Sequence, residues 1–125
     1  MIYGIGTDIV EIERIKNVVE KWGDRFLKKV FTGKEIEYCY NKKDPFPHLA
    51  ARFAAKEAFI KASSALRVRR LEFHAIEILS DPSGRPFIKI LTPDSSLLTS
   101  DFFIHLTLSH ERNYTIAIVV IETKK

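Results

Sequence analysis

The sequence predicts an α+β fold in which a long central helix packs on an antiparallel sheet, with a short strand and an amphipathic helix at the N-terminus. Three patterns carry this expectation. Apolar residues recur at helical spacing between Ile12 and Trp22, helix propensity is high from about Pro47 to Leu66, and the second half holds two pairs of β-type segments joined by short turns. With 125 residues, 46% hydrophobic and 29% charged, the chain has the material for one packed core, and residues 1–125 read as a single domain. The same composition excludes intrinsic disorder.

Ile2 to Asp8 opens with β-type residues and ends in Gly4, Gly6 and Asp8, which reads as a short strand running into a turn. Ile12, Ile15, Val19 and Trp22 then mark one helical face, with Glu13, Arg14, Lys16, Glu20 and Lys21 on the other sides and Gly23 at the end. Thr32 with Glu35 three residues on is a capping-box pair, so a short helix runs to about Tyr40 with Cys39 buried in it, followed by a loop from Asn41 to Pro47. Along the central helix, Ala50, Ala54 and Ala58 form a small-residue stripe beside Phe53 and Ile60. Leu71 to Leu79 and Pro86 to Leu91 are strands of a hairpin whose turn is Asp81-Pro82-Ser83-Gly84. Pro93 to Ser100 is a loop or a short helix. Phe102 to Ser109 and Tyr114 to Glu122 make a second hairpin through His110 to Asn113, and both strands are more apolar on their two faces than a half-exposed hairpin needs. Something is expected to cover them.

Several function classes fall away. One cysteine forms no internal disulfide and no thiolate zinc cluster. The longest apolar stretch, Tyr114 to Ile121, is far short of the roughly 18 residues of a membrane helix, and Met1 to Val10 contains no Lys or Arg, so a cytoplasmic protein without membrane association is expected. The net charge of +4 is unevenly spread. Arg52, Lys56, Lys61, Arg67, Arg69 and Arg70 face Glu57 as the single acid of their stretch, a net +5, which implies nucleic acid, a phosphorylated cofactor or an acidic protein as partner. Aromatics do not interleave with these cations, which disfavours nucleic acid. Neither a phosphate-binding glycine loop nor a serine-hydrolase elbow is present.

Two carboxylates attract notice. Asp8 is either a cap or turn residue, or it stands after two glycines where backbone can approach a ligand. Glu57 shares a helical side with Phe53 and Ile60, and a carboxylate that faces partly inward needs a cation. Lys61, four residues later, is either its surface ion-pair partner or an ammonium that holds phosphate beside a metal-holding carboxylate. Magnesium takes one or two protein carboxylates, so Asp8 and Glu57 would suffice. His48 and His74 read as loop and strand residues and His105 as a packed strand residue. His110, at a hairpin mouth, either reaches a phosphate or braces the turn.

Taken together, segments 2–15 (IYGIGTDIVEIERI) and 52–62 (RFAAKEAFIKA), then Gly84-Arg85-Pro86 and 108–111 (LSHE), closely resemble the short, single-domain phosphopantetheinyl transferases of the holo-acyl-carrier-protein synthase family. The likeness runs through nearly the whole chain in order. It implies transfer of the phosphopantetheine arm of coenzyme A to a serine of apo acyl carrier protein, release of adenosine 3',5'-bisphosphate, a Mg²⁺ requirement, and an α+β homotrimer with active sites at subunit borders. On the matching positions, Asp8 and Glu57 would hold the metal, while Arg52, Lys61 and His110 would contact coenzyme A phosphates. Pro86 would lie beside the nucleotide, and Arg14 would meet the acidic carrier protein. Lys61 and Glu57 would be catalytic, with Glu57 as the first choice of base for the serine. One segment departs from the family: 63–70 (SSALRVRR) replaces a glycine-rich turn, and its arginines could supply side-chain contacts instead. The rival reading is a basic, non-catalytic module binding RNA or an acidic protein through Arg67, Arg69 and Arg70. Pairing Asp8 with Glu57 argues against it, because an anion binder gains nothing from carboxylates beside its cations.

Overall fold

The computed structural model describes residues 1–64, 71–92 and 101–124. Along the chain lie β1 (Ile2–Glu11), α1 (Ile12–Trp22), α2 (Asp24–Val30), α3 (Gly33–Tyr40) and α4 (Pro45–Ser63). A 3₁₀ turn (Phe73–Ala75) then leads into β2 (Ile76–Ser80), β3 (Pro86–Ile90), β4 (Phe102–His110) and β5 (Tyr114–Thr123). The fold is α+β, with α4 against an antiparallel sheet of order β1-β5-β4 and with β2 and β3 paired as a separate ribbon. Both expected hairpins are present.

The sheet's inner face follows from strand alternation. Thr115, Ala117, Val119 and Ile121 of β5 point toward α4 and are buried, while Tyr114, Ile116 and Ile118 face outward. Ala50, Ala54 and Ala58 are fully buried along α4, and Leu49, Phe59, Ile76 and Ile78 complete the core. A Cβ added to Gly4 would lie 1.9 Å from the Ala62 carbonyl oxygen, and one added to Gly6 would lie 1.9 Å from that of Ala58. These glycines therefore let β1 lie directly on the helix backbone. They make no turn, and the backbone they bring close is that of α4. The strand passes through Asp8, opposite Ala117, and ends at Glu11, opposite Tyr114, because β5 offers a ladder along its whole length.

Other boundaries also differ from expectation. α4 begins at Pro45, two residues early, with Asp44 as its cap: Phe46 N donates to Asp44 Oδ1 at 3.1 Å, and proline at the first helical position leaves no donor orphaned. The seven-residue α2 gave no readable period. Of the 71–79 segment only 76–79 is strand, and the strand runs on to Ser80. His48 lies in α4 and His74 in the 3₁₀ turn, so neither is the loop or strand residue expected. His105 is exposed, its Nε2 2.6 Å from Glu122 Oε1, instead of packed. Trp22 is 49% exposed, with Lys21 and Arg25 against its ring, so it leaves the buried stripe of α1 to Ile15 and Val19. The capping box forms as expected, with Thr32 N donating to Glu35 Oε1 at 2.9 Å and Glu35 N to Thr32 Oγ1 at 3.3 Å, and Cys39 is buried. Residues 93–100 and the arginines at 67, 69 and 70 lie outside the described residues. Among the described residues no helix is long and apolar enough to cross a membrane.

Candidate active site

The residues singled out from the sequence fall into two groups on different sides of α4. Arg52 and Glu57 are five positions apart, which on a helix of about 100° per residue turns them roughly 140° from one another. Glu57 and Lys61 are one turn apart and share a side.

On that side, Lys61 Nζ stands 3.2 Å from Asp8 Oδ1 and donates to the Thr7 carbonyl oxygen at 3.0 Å. The Asp8 side chain is largely shielded, whereas the Lys61 side chain is about half exposed. Close contact between β1 and α4 at Gly4 and Gly6 is what brings this aspartate, on the same strand face, within reach of the lysine. Glu57 is half-buried one turn earlier. Among the described residues it forms no ion pair with Lys61: the ammonium has gone to Asp8 instead. Three or more His, Cys, Asp or Glu side chains do not gather into a metal site among the described residues.

On the other side, α4, the start of β3 and the end of β4 enclose a cavity of about 320 Å³ whose walls include Tyr38, His48, Arg52, Ser80, Pro86 and His110. Arg52, Pro86 and His110 thus meet in space although 34 and 58 positions separate Arg52 from the other two. The Arg52 side chain is 5% exposed. Its Nη1 donates to the His48 carbonyl oxygen at 3.4 Å, its guanidinium carbon stands 4.2 Å from the centre of the Tyr38 ring, and its Nε has no hydrogen-bond partner among the described residues. No carboxylate lies within 4.0 Å of it among the described residues. A buried guanidinium in that state is costly unless an anion joins it.

The electrostatics agree. Burial alone would raise the Tyr38 phenol, yet the Ser80 hydroxyl and the charges of Arg52 and Lys42 bring it below its ordinary value. Burial pushes the His48 imidazole down, and Arg52, Lys42 and His110 push the same way against a weaker pull from Asp44. This cavity disfavours added positive charge.

Within the basic stretch, Lys56 does not face solvent. Lys56 is fully buried and donates to Glu35 Oε1 and the Val30 carbonyl, both at 2.6 Å, and to the Phe73 carbonyl at 3.0 Å. Glu35 also accepts from Ile78 N at 2.8 Å, and Thr32 Oγ1 donates to Glu77 Oε2 at 2.6 Å. The charge of Lys56 is consumed in holding α2, α3 and the approach to β2 against α4. Arg14 stands exposed on α1 with no ion pair among the described residues. Sequence reasoning missed Tyr38 and His48 as cavity residues. Tyr38 comes from α3, and nothing local to it signals that β3 and β4 close over it.

Comparison with known proteins adds a consistent result. Residues 4–119 match the family profile of the 4'-phosphopantetheinyl transferase superfamily. The holo-[acyl-carrier-protein] synthase of Halothermothrix orenii is 46% identical over 96% of this chain and 97% of its own, and that of Thermodesulfovibrio yellowstonii is 46% identical over 97% and 99%. Among solved structures, the holo-[acyl-carrier-protein] synthase of Neisseria meningitidis superposes with a TM-score of 0.83 at 34% identity, covering 98% of this chain and all of that one. The Bacillus anthracis holo-(acyl-carrier-protein) synthase in complex with CoA (3',5'-ADP) superposes at 0.78 and 31% identity over 99% of each chain.

Proposed function

The chain belongs to the 4'-phosphopantetheinyl transferase superfamily, and from that premise we propose how its side chains carry out the transfer of phosphopantetheine from coenzyme A to a serine of apo acyl carrier protein. The carrier serine hydroxyl attacks the pantetheine-bearing phosphorus of the pyrophosphate, the bond to the bridging oxygen breaks, and adenosine 3',5'-bisphosphate leaves. Such a reaction demands neutralised phosphate oxygens, an in-line hydroxyl and a place for its proton.

Lys61 supplies the fixed positive charge at the transferring phosphate, and Glu57 takes the serine proton. Arg52 and His110 bind coenzyme A phosphates in the cavity, with Pro86 against the nucleotide. The observation that carries this assignment is the convergence of Arg52, Pro86 and His110 on one cavity in which a buried guanidinium has no counter-charge among the described residues. Asp8 and Glu57 would hold Mg²⁺. A donor set of two carboxylates without sulfur or imidazole suits an ion that keeps most of its shell for water and phosphate oxygens. When bound there, the ion would supply charge neutralisation at the pyrophosphate. Arg14, exposed and without an ion pair among the described residues, meets the acidic carrier protein.

The two groups lie on opposite sides of α4, so one chain does not wrap both around one coenzyme A. We place the complete site at the border of two copies within a cytoplasmic homotrimer. The rival reading as a module binding RNA or an acidic protein would leave the pairing of Asp8 with Lys61 beside Glu57 without a use. The deciding experiment is incubation with apo carrier protein, coenzyme A and Mg²⁺ followed by intact mass of the carrier. A gain of one phosphopantetheine supports the assignment, and an unchanged carrier refutes it.

A further inference from the structure

We propose that His48 is a further phosphate-contacting residue of the coenzyme A site, and that it makes the grip of this cavity on the nucleotide depend on pH. The inference rests on the reading of the cavity as the coenzyme A site.

His48 lines the 320 Å³ cavity with Arg52 and His110, and the same two histidines also line an adjoining groove of about 670 Å³ that includes Lys42, Lys43, Asp44, Glu111 and Arg112. They stand where the two spaces meet, at a place that a ligand larger than either space must cross. Among the described residues no acidic side chain lines the smaller cavity. Neither ring nitrogen of His48 has a hydrogen-bond partner among the described residues, while its ring and that of Tyr38 stand nearly perpendicular, with centroids 6.1 Å apart. The ring is held in place with its polar atoms unused. The start of α4 cannot do this work with its backbone, since Pro45 and Pro47 carry no N–H and Phe46 N is given to Asp44.

The charged and titratable groups around His48 are Tyr38 of α3, Lys42 and Lys43 after it, Asp44 at the cap of α4, Arg52 one turn on, His110 at the end of β4, and Glu111 and Arg112 just beyond it. Burial, Arg52, Lys42 and His110 all favour the neutral imidazole, against a weaker pull from Asp44. A phosphate dianion reverses that balance. It neutralises Arg52 and gives the imidazole an acceptor for a new N–H, so the nucleotide and one proton from solvent bind together.

The test is titration calorimetry of the whole protein with adenosine 3',5'-bisphosphate, without Mg²⁺, near neutral pH in two buffers of different ionisation enthalpy. Wild type should take up a proton on binding, and its Kd should weaken about tenfold from ~pH 6 to ~pH 8. His48→Gln should lose most of that uptake and change Kd by no more than about threefold over the same range. His48→Arg, with a fixed charge, should bind tightly without the pH slope. Uptake and slope unchanged in His48→Gln but abolished in His110→Gln would overturn the role of His48 and leave the coenzyme A site standing. Absence of binding to wild type at any pH would overturn both.

Discussion

A Cβ at Gly6 would meet the Ala58 carbonyl oxygen at 1.9 Å, and that oxygen is helix backbone that no rotamer change can move. Gly6→Ala must therefore push α4 off β1, at an overpacking cost of about 1–3 kcal/mol or more, and thermal unfolding should fall by roughly 5–10 °C. Gly33→Ala is the matched control: nothing lies within 4 Å of the added carbon, so its stability should stay within about 1 kcal/mol of wild type. Equal melting temperatures for both variants would contradict the packing account. The same contact aligns Asp8 with Lys61, so these glycines shape the candidate site as well as the core. Asp8→Ala and Glu57→Ala, by contrast, remove side chains outside the core. Each should lower transfer roughly a thousandfold with the circular dichroism and melting of wild type. Activity within about threefold of wild type at saturating Mg²⁺ in either variant would remove that residue from the metal site.

At the scale of elements, α1 buries Ile15 and Val19 and turns Arg14 to solvent, free of any ion pair among the described residues. Arg14→Glu should raise the KM for carrier protein, with less salt dependence than wild type, and leave coenzyme A affinity unchanged. An unaltered carrier KM, or an equal loss of coenzyme A affinity, would place the carrier elsewhere. The elements differ in how far they could be read in advance. α1, α3 and both hairpins were legible because their cues are local: a repeat of three and four, a capping box, a turn such as Asp81-Pro82-Ser83-Gly84. Local cues failed where partners come from far along the chain. β1 runs past Asp8 because β5, over a hundred positions away, pairs with it throughout, and Lys56 left the basic stretch because Glu35 meets it inside the core. Glu35 itself was legible only as a cap, although one carboxylate also serves α4 and β2. Arg52, Pro86 and His110 were each legible through family likeness. That they share one cavity with Tyr38 and His48 depends on β3 and β4 closing over α4, which no local pattern encodes.

For the molecule as a whole, the decisive feature is the sheet face that α4 leaves uncovered. Ile5 and Ile9 of β1, Phe103 of β4, and Ile116 and Ile118 of β5 lie on that outer face and are between 39% and 63% exposed in the single chain. Clustered apolar side chains across three adjacent strands are the kind of surface that subunits cover. The core, meanwhile, is complete without them: β5 buries Ala117, Val119 and Ile121 on the opposite face. Ile118→Glu should therefore spare the fold and strike only assembly. Wild type is expected to scatter light as a homotrimer, whereas Ile118→Glu should show the mass of one subunit with unchanged circular dichroism. Transfer should fall with the mass, because separated chains part Asp8, Glu57 and Lys61 from the Arg52, Pro86 and His110 of the neighbouring copy. Loss of structure in Ile118→Glu would mean that the side chain supports its own subunit's core, contrary to its exposure. A wild-type protein that is fully active at the mass of one subunit at micromolar concentration would show that one chain holds a whole site, and the border between copies would then have no part in catalysis.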